Sequence, residues 1–332
     1  MESLLTNTSM PKKIAVLGPI PKDTVITHRG EVLNKYGCAL YTAIALSALL
    51  GDEGTVLPIV NVADDDLAPI REILDNYPNI DQTGVRACGD RGAVVELRFV
   101  NQNDRLEHQT GFMAPITPAD VEFALDADAF VCVPITDYEV GQSTLEYIRR
   151  NSDGVILLDG HGPTSVLTKG GERVRRLWIE IDDWLPNLDI LKMNIEEAGC
   201  SWLPRPGEER KPADPIPREQ LRDFATYVLG HGLKSLCVTL DQEGCIAFTL
   251  DESGELFEAV VPRVPVAKVI DTTGCGDSFA AGMAFGYLLD RQIVTACRYG
   301  NAMGAQRAGA TKLDGYLDFA TTSRQISDAY GA

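Results

Sequence analysis

The sequence predicts an α/β fold in which a doubly wound, mainly parallel sheet is flanked by helices and carries a small β-sheet lid, and three observations point there. Short apolar runs alternate with helical stretches along most of the chain, as βαβ units require. One segment breaks this alternation with a period of two. The 332 residues are 45% hydrophobic and 23% charged, a composition that builds a buried core, and no long linker, repeat or low-complexity tract divides them.

Taken in order, Ile14 to Leu17 reads as a strand that ends at Gly18. The stretch from Cys38 to Leu50 is apolar all round and reads as a buried helix. Val56 to Val62 is the next strand, and an amphipathic helix from about Asp65 to Asp75 is closed by the turn at Pro78. Ala129 to Val133, Val155 to Leu158, Ile190 to Met193 and Leu236 to Leu240 are further short apolar runs. Ligands of such a sheet sit at the C-terminal strand ends. The exception is Val94 to Val100, VVELRFV, whose alternation fits a half-exposed antiparallel strand. With the polar stretch Lys22 to Lys35 it is expected to form a β-flap, although an edge hairpin accounts for it equally well. Pro204 to Pro217 is expected to be a surface loop.

Charge narrows the partners. Thirty Lys and Arg against 48 Asp and Glu leave a net charge of −18, which repels nucleic acid and anionic membrane surfaces. An anionic ligand must therefore meet a local positive site. The eight cysteines are scattered without a CxxC pair, and with no apolar leader or span of about eighteen residues the expectation is a reduced, cytoplasmic protein. GxGxxG, GxxxxGK[ST] and HExxH are all missing, which removes the usual warrant for a dinucleotide-dependent dehydrogenase, a P-loop enzyme or a zinc hydrolase.

The most informative segment is Val269 to Asp290, VIDTTGCGDSFAAGMAFGYLLD. Gly274 and Gly276 allow close backbone approach, so the amides of Gly274, Cys275 and Gly276 can converge on an anion where a helix begins. Asp277 is expected at or near the N-cap, where the helix N-terminus lowers a carboxylate's pKa. Taken alone, Asp277 reads as well as a plain helix cap.

DTTGCGDSFAAG closely resembles the DTxGAGD signature of the ribokinase or PfkB family of carbohydrate kinases, with Cys275 where alanine is usual. The resemblance implies a ribokinase-like single kinase domain over residues 1–332, with a lid from about 22–35 and 92–111. It implies an ATP-dependent phosphotransferase that moves the γ-phosphate to a hydroxyl of a small polyol (a sugar, nucleoside or cyclitol), with Asp277 as general base and Gly274, Cys275 and Gly276 as the anion hole. KMNIEE resembles the family's NxxE motif, so that Asn194 and Glu197 would order the waters around Mg2+. VTLDQEG resembles its VTxGxxG nucleotide loop through Thr239 and Gly244, with Asp241 replacing a glycine. YGNAMGAQRAGA resembles the family's late helix and turn that border the adenine, which would put Asn301 near the base.

On the acceptor side, Asp23 matches the family's loop aspartate. YGCALYTA departs from GGxxxNxA, keeping Gly37 and Ala43 but placing Tyr36 for the first glycine and Tyr41 for asparagine. The two rings would either stack on a flat or apolar face of the acceptor or fill space that a ribose would occupy. By resemblance Asp271 and Thr273 permit a K+ ion, and the lid permits a homodimer. The alternative is a catalytically weak PfkB-like protein that binds a ligand or regulates a partner, which the departures at Asp241 and Tyr41 motivate.

Overall fold

The computed structural model describes residues 12–101, 105–203, 211 and 214–331. In chain order, β1 (Lys13–Leu17), β2 (Lys22–Ile26) and β3 (Val32–Tyr36) lead to α1 (Ala39–Leu50), β4 (Thr55–Val62), α2 (Asp64–Leu74), β5 (Val85–Ala87), β6 (Val94–Phe99) and β7 (Arg105–Gly111). Next come α3 (Pro118–Val121), β8 (Ala129–Cys132), α4 (Gln142–Asn151), β9 (Val155–Asp159), β10 (Ser165–Leu167), β11 (Arg173–Arg175), α5 (Ile181–Trp184), β12 (Ile190–Asn194) and α6 (Ile195–Ser201). The rest is α7 (Leu221–Gly230), β13 (Ser235–Thr239), β14 (Cys245–Leu250), β15 (Leu256–Val261), α8 (Cys275–Asp290), α9 (Ile293–Ala308) and α10 (Phe319–Tyr330).

Strand alternation sets the layers. In β1, Ile14 and Val16 enter one apolar core with α1, α8 and α9, whereas Ala15 and Leu17 enter a second with α3, α4, α5 and α7. Both faces of the sheet are thus covered, which is why its strands are apolar throughout. The nine-stranded order is β15-β14-β13-β12-β9-β8-β1-β4-β5. Pairing is parallel from β5 to β13, and β14 and β15 add an antiparallel edge. The order reverses at β1, which lies between β4 and β8, the kind of switch point beside which open α/β sheets bind ligands at the C-terminal strand ends.

The lid is a separate four-stranded sheet in the order β3-β2-β6-β7. The segment expected to be antiparallel, β6, is so only toward β7. Toward β2 it runs parallel, because the chain leaves the lid after β3, passes through β4, α2 and β5, and re-enters in the direction of β2. Val25, Val95 and Leu97 form the lid's own buried cluster, with Phe99 and Ile135 packed on it. Most of the expected 204–217 loop lies outside the described residues. All eight cysteines are free thiols, and among the described residues no helix is long and apolar enough to cross a membrane.

Candidate active site

Helix α8 starts where the chain can turn sharply. Gly274 is its N-cap at φ 84°, a left-handed conformation that favours glycine. A Cβ there would lie 2.5 Å from the Tyr41 ring, so the ring packs directly on the turn. Asp277 is therefore the third residue of the helix, three places past the cap.

The Asp277 carboxyl titrates above its usual range. Burial is the main cause, Asp159's charge adds to it, and Lys192, Cys38 and His161 oppose it. The expected lowering by the helix terminus is thus outweighed, since desolvation acts on the whole charge and the terminus offers only partial charges. A raised pKa makes a better proton acceptor.

Several neighbours were not singled out in the sequence. Lys192 Nζ lies 3.2 Å from the position a Cβ on Gly276 would take, which sets an ammonium beside the turn. It donates to Asp159 Oδ2 at 2.7 Å. Burial works against its charge, but Asp159 and Glu197 hold its pKa above the ordinary lysine value. Cys38 caps α1 at φ 50°, a conformation that costs a non-glycine residue about 1–3 kcal/mol, and its thiol donates to the Val133 carbonyl at 3.0 Å. Lys192 stands two places before Asn194 of the NxxE motif, so a search for cations near that motif finds it. Cys38 has no sequence signal, because its strain exists only in the fold.

Asn194 and Glu197 form a reciprocal capping box at the start of α6. Glu197 Oε1 also accepts from Arg175 Nη2 at 3.1 Å and faces His161 Nδ1 at 3.1 Å. Burial works against this carboxylate, yet His161, Arg175 and Lys192 hold its pKa below the usual range. Thr239 ends β13 and donates to the Met193 carbonyl at 3.2 Å. Asp241 is exposed at φ 48°, so a residue tolerant of the left-handed region stands where a glycine was expected. A Cβ on Gly244 would lie 2.2 Å from the Val261 carbonyl oxygen, which fixes this turn against β15. The Asn301 amide donates to the carbonyls of Val261 and Pro262 and to the Tyr330 hydroxyl.

On the lid side, Asp23 is 4% exposed, and burial raises its pKa to about 7 against the pull of Lys35, Arg173 and Arg105, with Asp277 adding to the rise. A Cβ on Gly37 would lie 2.3 Å from Asp23 Oδ2, so glycine there makes room for the carboxylate. The two tyrosines separate. Tyr36 pairs with Lys22 across β2 and β3, and its hydroxyl donates to Asp66 at 2.8 Å, on the face opposite Asp23. Tyr41 stays buried under the Arg307 guanidinium, 4.8 Å from its ring centre.

Asp271 and Thr273 do not fit a potassium ion. Asp271 Oδ2 accepts from Lys35 Nζ at 2.8 Å and Arg307 Nη2 at 2.6 Å, and Oδ1 from the Thr273 amide at 2.9 Å. Despite burial, these partners lower its pKa to about 2. A third cation would join a carboxylate already matched by two. Of this pair of residues only the Thr273 hydroxyl, buried without a partner, remains open.

Residues 174–314 match the model of the pfkB family carbohydrate kinases. The structure resembles Arabidopsis thaliana ribokinase complexed with ribose and ATP, with a TM-score of 0.71 at 16% identity over 96% of this chain and 99% of that one. The chain has the ribokinase fold. It is also 36% identical over 88 residues to an uncharacterized sugar kinase of Archaeoglobus fulgidus, a match that spans 26% of this chain and only 33% of that relative. Over 84% of its length it is 25% identical to a fructokinase of Rhizobium leguminosarum bv. trifolii, covering 79% of it.

Proposed function

We propose that this PfkB-type protein is an ATP-dependent kinase that transfers the γ-phosphate to a hydroxyl of a small polyol, with Asp277 as general base. The observation that carries the reading is the placement of a carboxyl of raised pKa in the first turn of α8, with the Lys192 ammonium beside the same glycine turn and Asp23 close enough to feel the charge of Asp277. The sugar-kinase relatives support the class of acceptor.

In this mechanism Asp23 and Tyr41 hold the polyol. Its hydroxyl oxygen attacks the γ-phosphorus in line, the bond to the β-phosphate bridge breaks, and Asp277 takes the hydroxyl proton. The amides of Gly274, Cys275 and Gly276 meet the charge growing on the transferring group, and Lys192 supports them. Thr239, Asp241, Gly244 and Asn301 frame the nucleotide. Magnesium, when bound with ATP, neutralises phosphate charge. Glu197, already matched by Arg175, suits holding its waters through Asn194 better than ligating it directly. Residues 1–332 act as one domain whose lid, from about 22–35 and 92–111, excludes water. Exposed Val32 and Leu106 on the lid's outer face support pairing with a second copy there.

The test is ADP release from purified protein with magnesium and a panel of sugars, nucleosides and cyclitols. Release that depends on one acceptor class supports the kinase. ATP binding without release across the panel overturns it in favour of a ligand-binding relative.

A further inference from the structure

Three of the eight cysteines meet in the core where β13 and β14 pack against α9. Cys237 lies in β13, Cys245 opens β14 and Cys297 lies in α9. In the antiparallel register Cys237 pairs with Ala247 and Cys245 with Thr239, so the two cysteines are diagonal neighbours on one face of the sheet. Helix α9 covers that face and brings Cys297 onto them. All three are fully buried. The sulfurs of Cys297 and Cys237 are 3.7 Å apart, and the three Sγ atoms all lie within 4.8 Å of one another.

This spacing suits a metal ion. Some point lies within about 2.8 Å of all three sulfurs (4.8 Å divided by √3), so shifts of about half an ångström give metal–sulfur bonds of about 2.3 Å. The electrostatics point the same way. Cys245 accepts hydrogen bonds from Cys237 and Cys297 that outweigh burial and, with the Asn301 amide, hold its thiol below the usual cysteine range. A thiolate in an apolar core with only neutral donors around it is a charge that a cation would match. Burial raises the Cys237 thiol instead, so an entering ion displaces its proton.

The donor set selects the ion. Thiolate is a soft ligand that favours Cu(I) and zinc. Structural zinc takes four ligands, and among the described residues no His, Asp or Glu joins the three sulfurs. The Asn301 side chain turns its amide nitrogen toward Cys245 while donating to the carbonyls of Val261 and Pro262, so it supplies no oxygen. Solvent does not reach the sulfurs to supply a water.

We infer that Cys237, Cys245 and Cys297 form a three-thiolate site for one Cu(I) ion, which ties the antiparallel edge of the sheet to α9. Entry requires β14 and β15 to open locally. The inference is independent of the kinase reading, since none of the three cysteines takes part in it.

The experiment is an anaerobic titration of the reduced full chain with Cu(I) held by a chromophoric chelator. The expected result is withdrawal of one equivalent from the chelator, a sulfur-to-copper absorption band in the near ultraviolet, and a higher midpoint of thermal unfolding for the loaded protein. Cys245→Ala and Cys297→Ala should each weaken uptake by at least about a hundredfold, whereas Cys88→Ser should leave it unchanged. X-ray absorption of the loaded wild type reads the site without any variant, and should give three sulfur neighbours. The proposal is overturned if the chelator keeps the copper, if Cys297→Ala takes up copper as the wild type does, or if absorption shows two sulfurs or a nitrogen or oxygen ligand. Tighter binding of zinc than of Cu(I), or recovery of the protein with a Cys237–Cys297 disulfide, would overturn it as well.

Discussion

The two sides of the proposed site are built differently. The proposed donor side rests on one contiguous turn, Asp271 to Asp277, set at the start of a 16-residue helix buried between α1 and α9, and on the ends of β9, β12 and β13 in the parallel sheet. The acceptor side is gathered from β2, β3, β6, β7 and β11, strands of a smaller sheet whose own buried cluster holds Val25, Val95 and Leu97. The donor side is held by packing and the acceptor side by charge. Contiguous backbone on a buried helix gives fixed geometry for a transition state, while shared ion pairs on a small sheet can be re-matched by whatever ligand enters.

Breaking the donor side should have the largest effect. Asp277→Asn keeps the shape and removes the base, so turnover should fall by about two to four orders of magnitude with ATP-analogue affinity unchanged, as read by ADP release and calorimetry. Near-normal turnover would return Asp277 to a capping role.

On the acceptor side the expected outcome is double. Asp23→Asn should abolish detectable acceptor binding and yet stabilise the free protein at pH 8. Asp23 titrates at about 7 in the fold against 3.8 unperturbed, so its proton favours the folded state. That contribution is whole below about pH 4 and is lost as pH rises through about 7. The variant should therefore gain roughly 2–4 kcal/mol at pH 8 and little at pH 4 in denaturant unfolding. Equal stability at both pH values would show that Asp23 is ionised and well matched.

Gly274→Ala joins the two sides, because the new Cβ would meet Tyr41. The left-handed backbone and the clash together should cost about 2–4 kcal/mol. Adding Tyr41→Ala should return only the clash, so the double-mutant cycle reads the contact. Simple additivity would mean that the ring does not rest on the turn.

The smallest effect expected is that of potassium. With Asp271 held by Lys35 and Arg307, replacing K+ by tetramethylammonium should change turnover by less than about twofold. A strict requirement for K+ would show that the ion displaces Lys35.

How much of this was legible follows the same division. The strands, the buried helices and the Gly274 to Asp277 turn could be read because their signal is local: period, apolar runs and small residues at fixed spacing. The parallel pairing of β6 with β2 could not, since it depends on the route the chain takes between them. Nor could the sign of Asp277's pKa shift, because Asp159 lies 118 positions away in the chain and desolvation has no local signature. Tyr36 and Tyr41 stand five places apart and look alike in the motif, yet strand register sends one to Asp66 and the other beneath Arg307.

By itself, then, the sequence determined the architecture and the place of the glycine turn, because backbone conformation and apolar periodicity are properties of neighbouring residues. Only the tertiary structure decided which charges meet: Lys35 and Arg307 on Asp271, Lys192 beside Gly276, and Arg105 and Arg173 sharing Glu107. Coulombic and desolvation energies depend on distance through space, and residues far apart in the chain become neighbours only once it has folded.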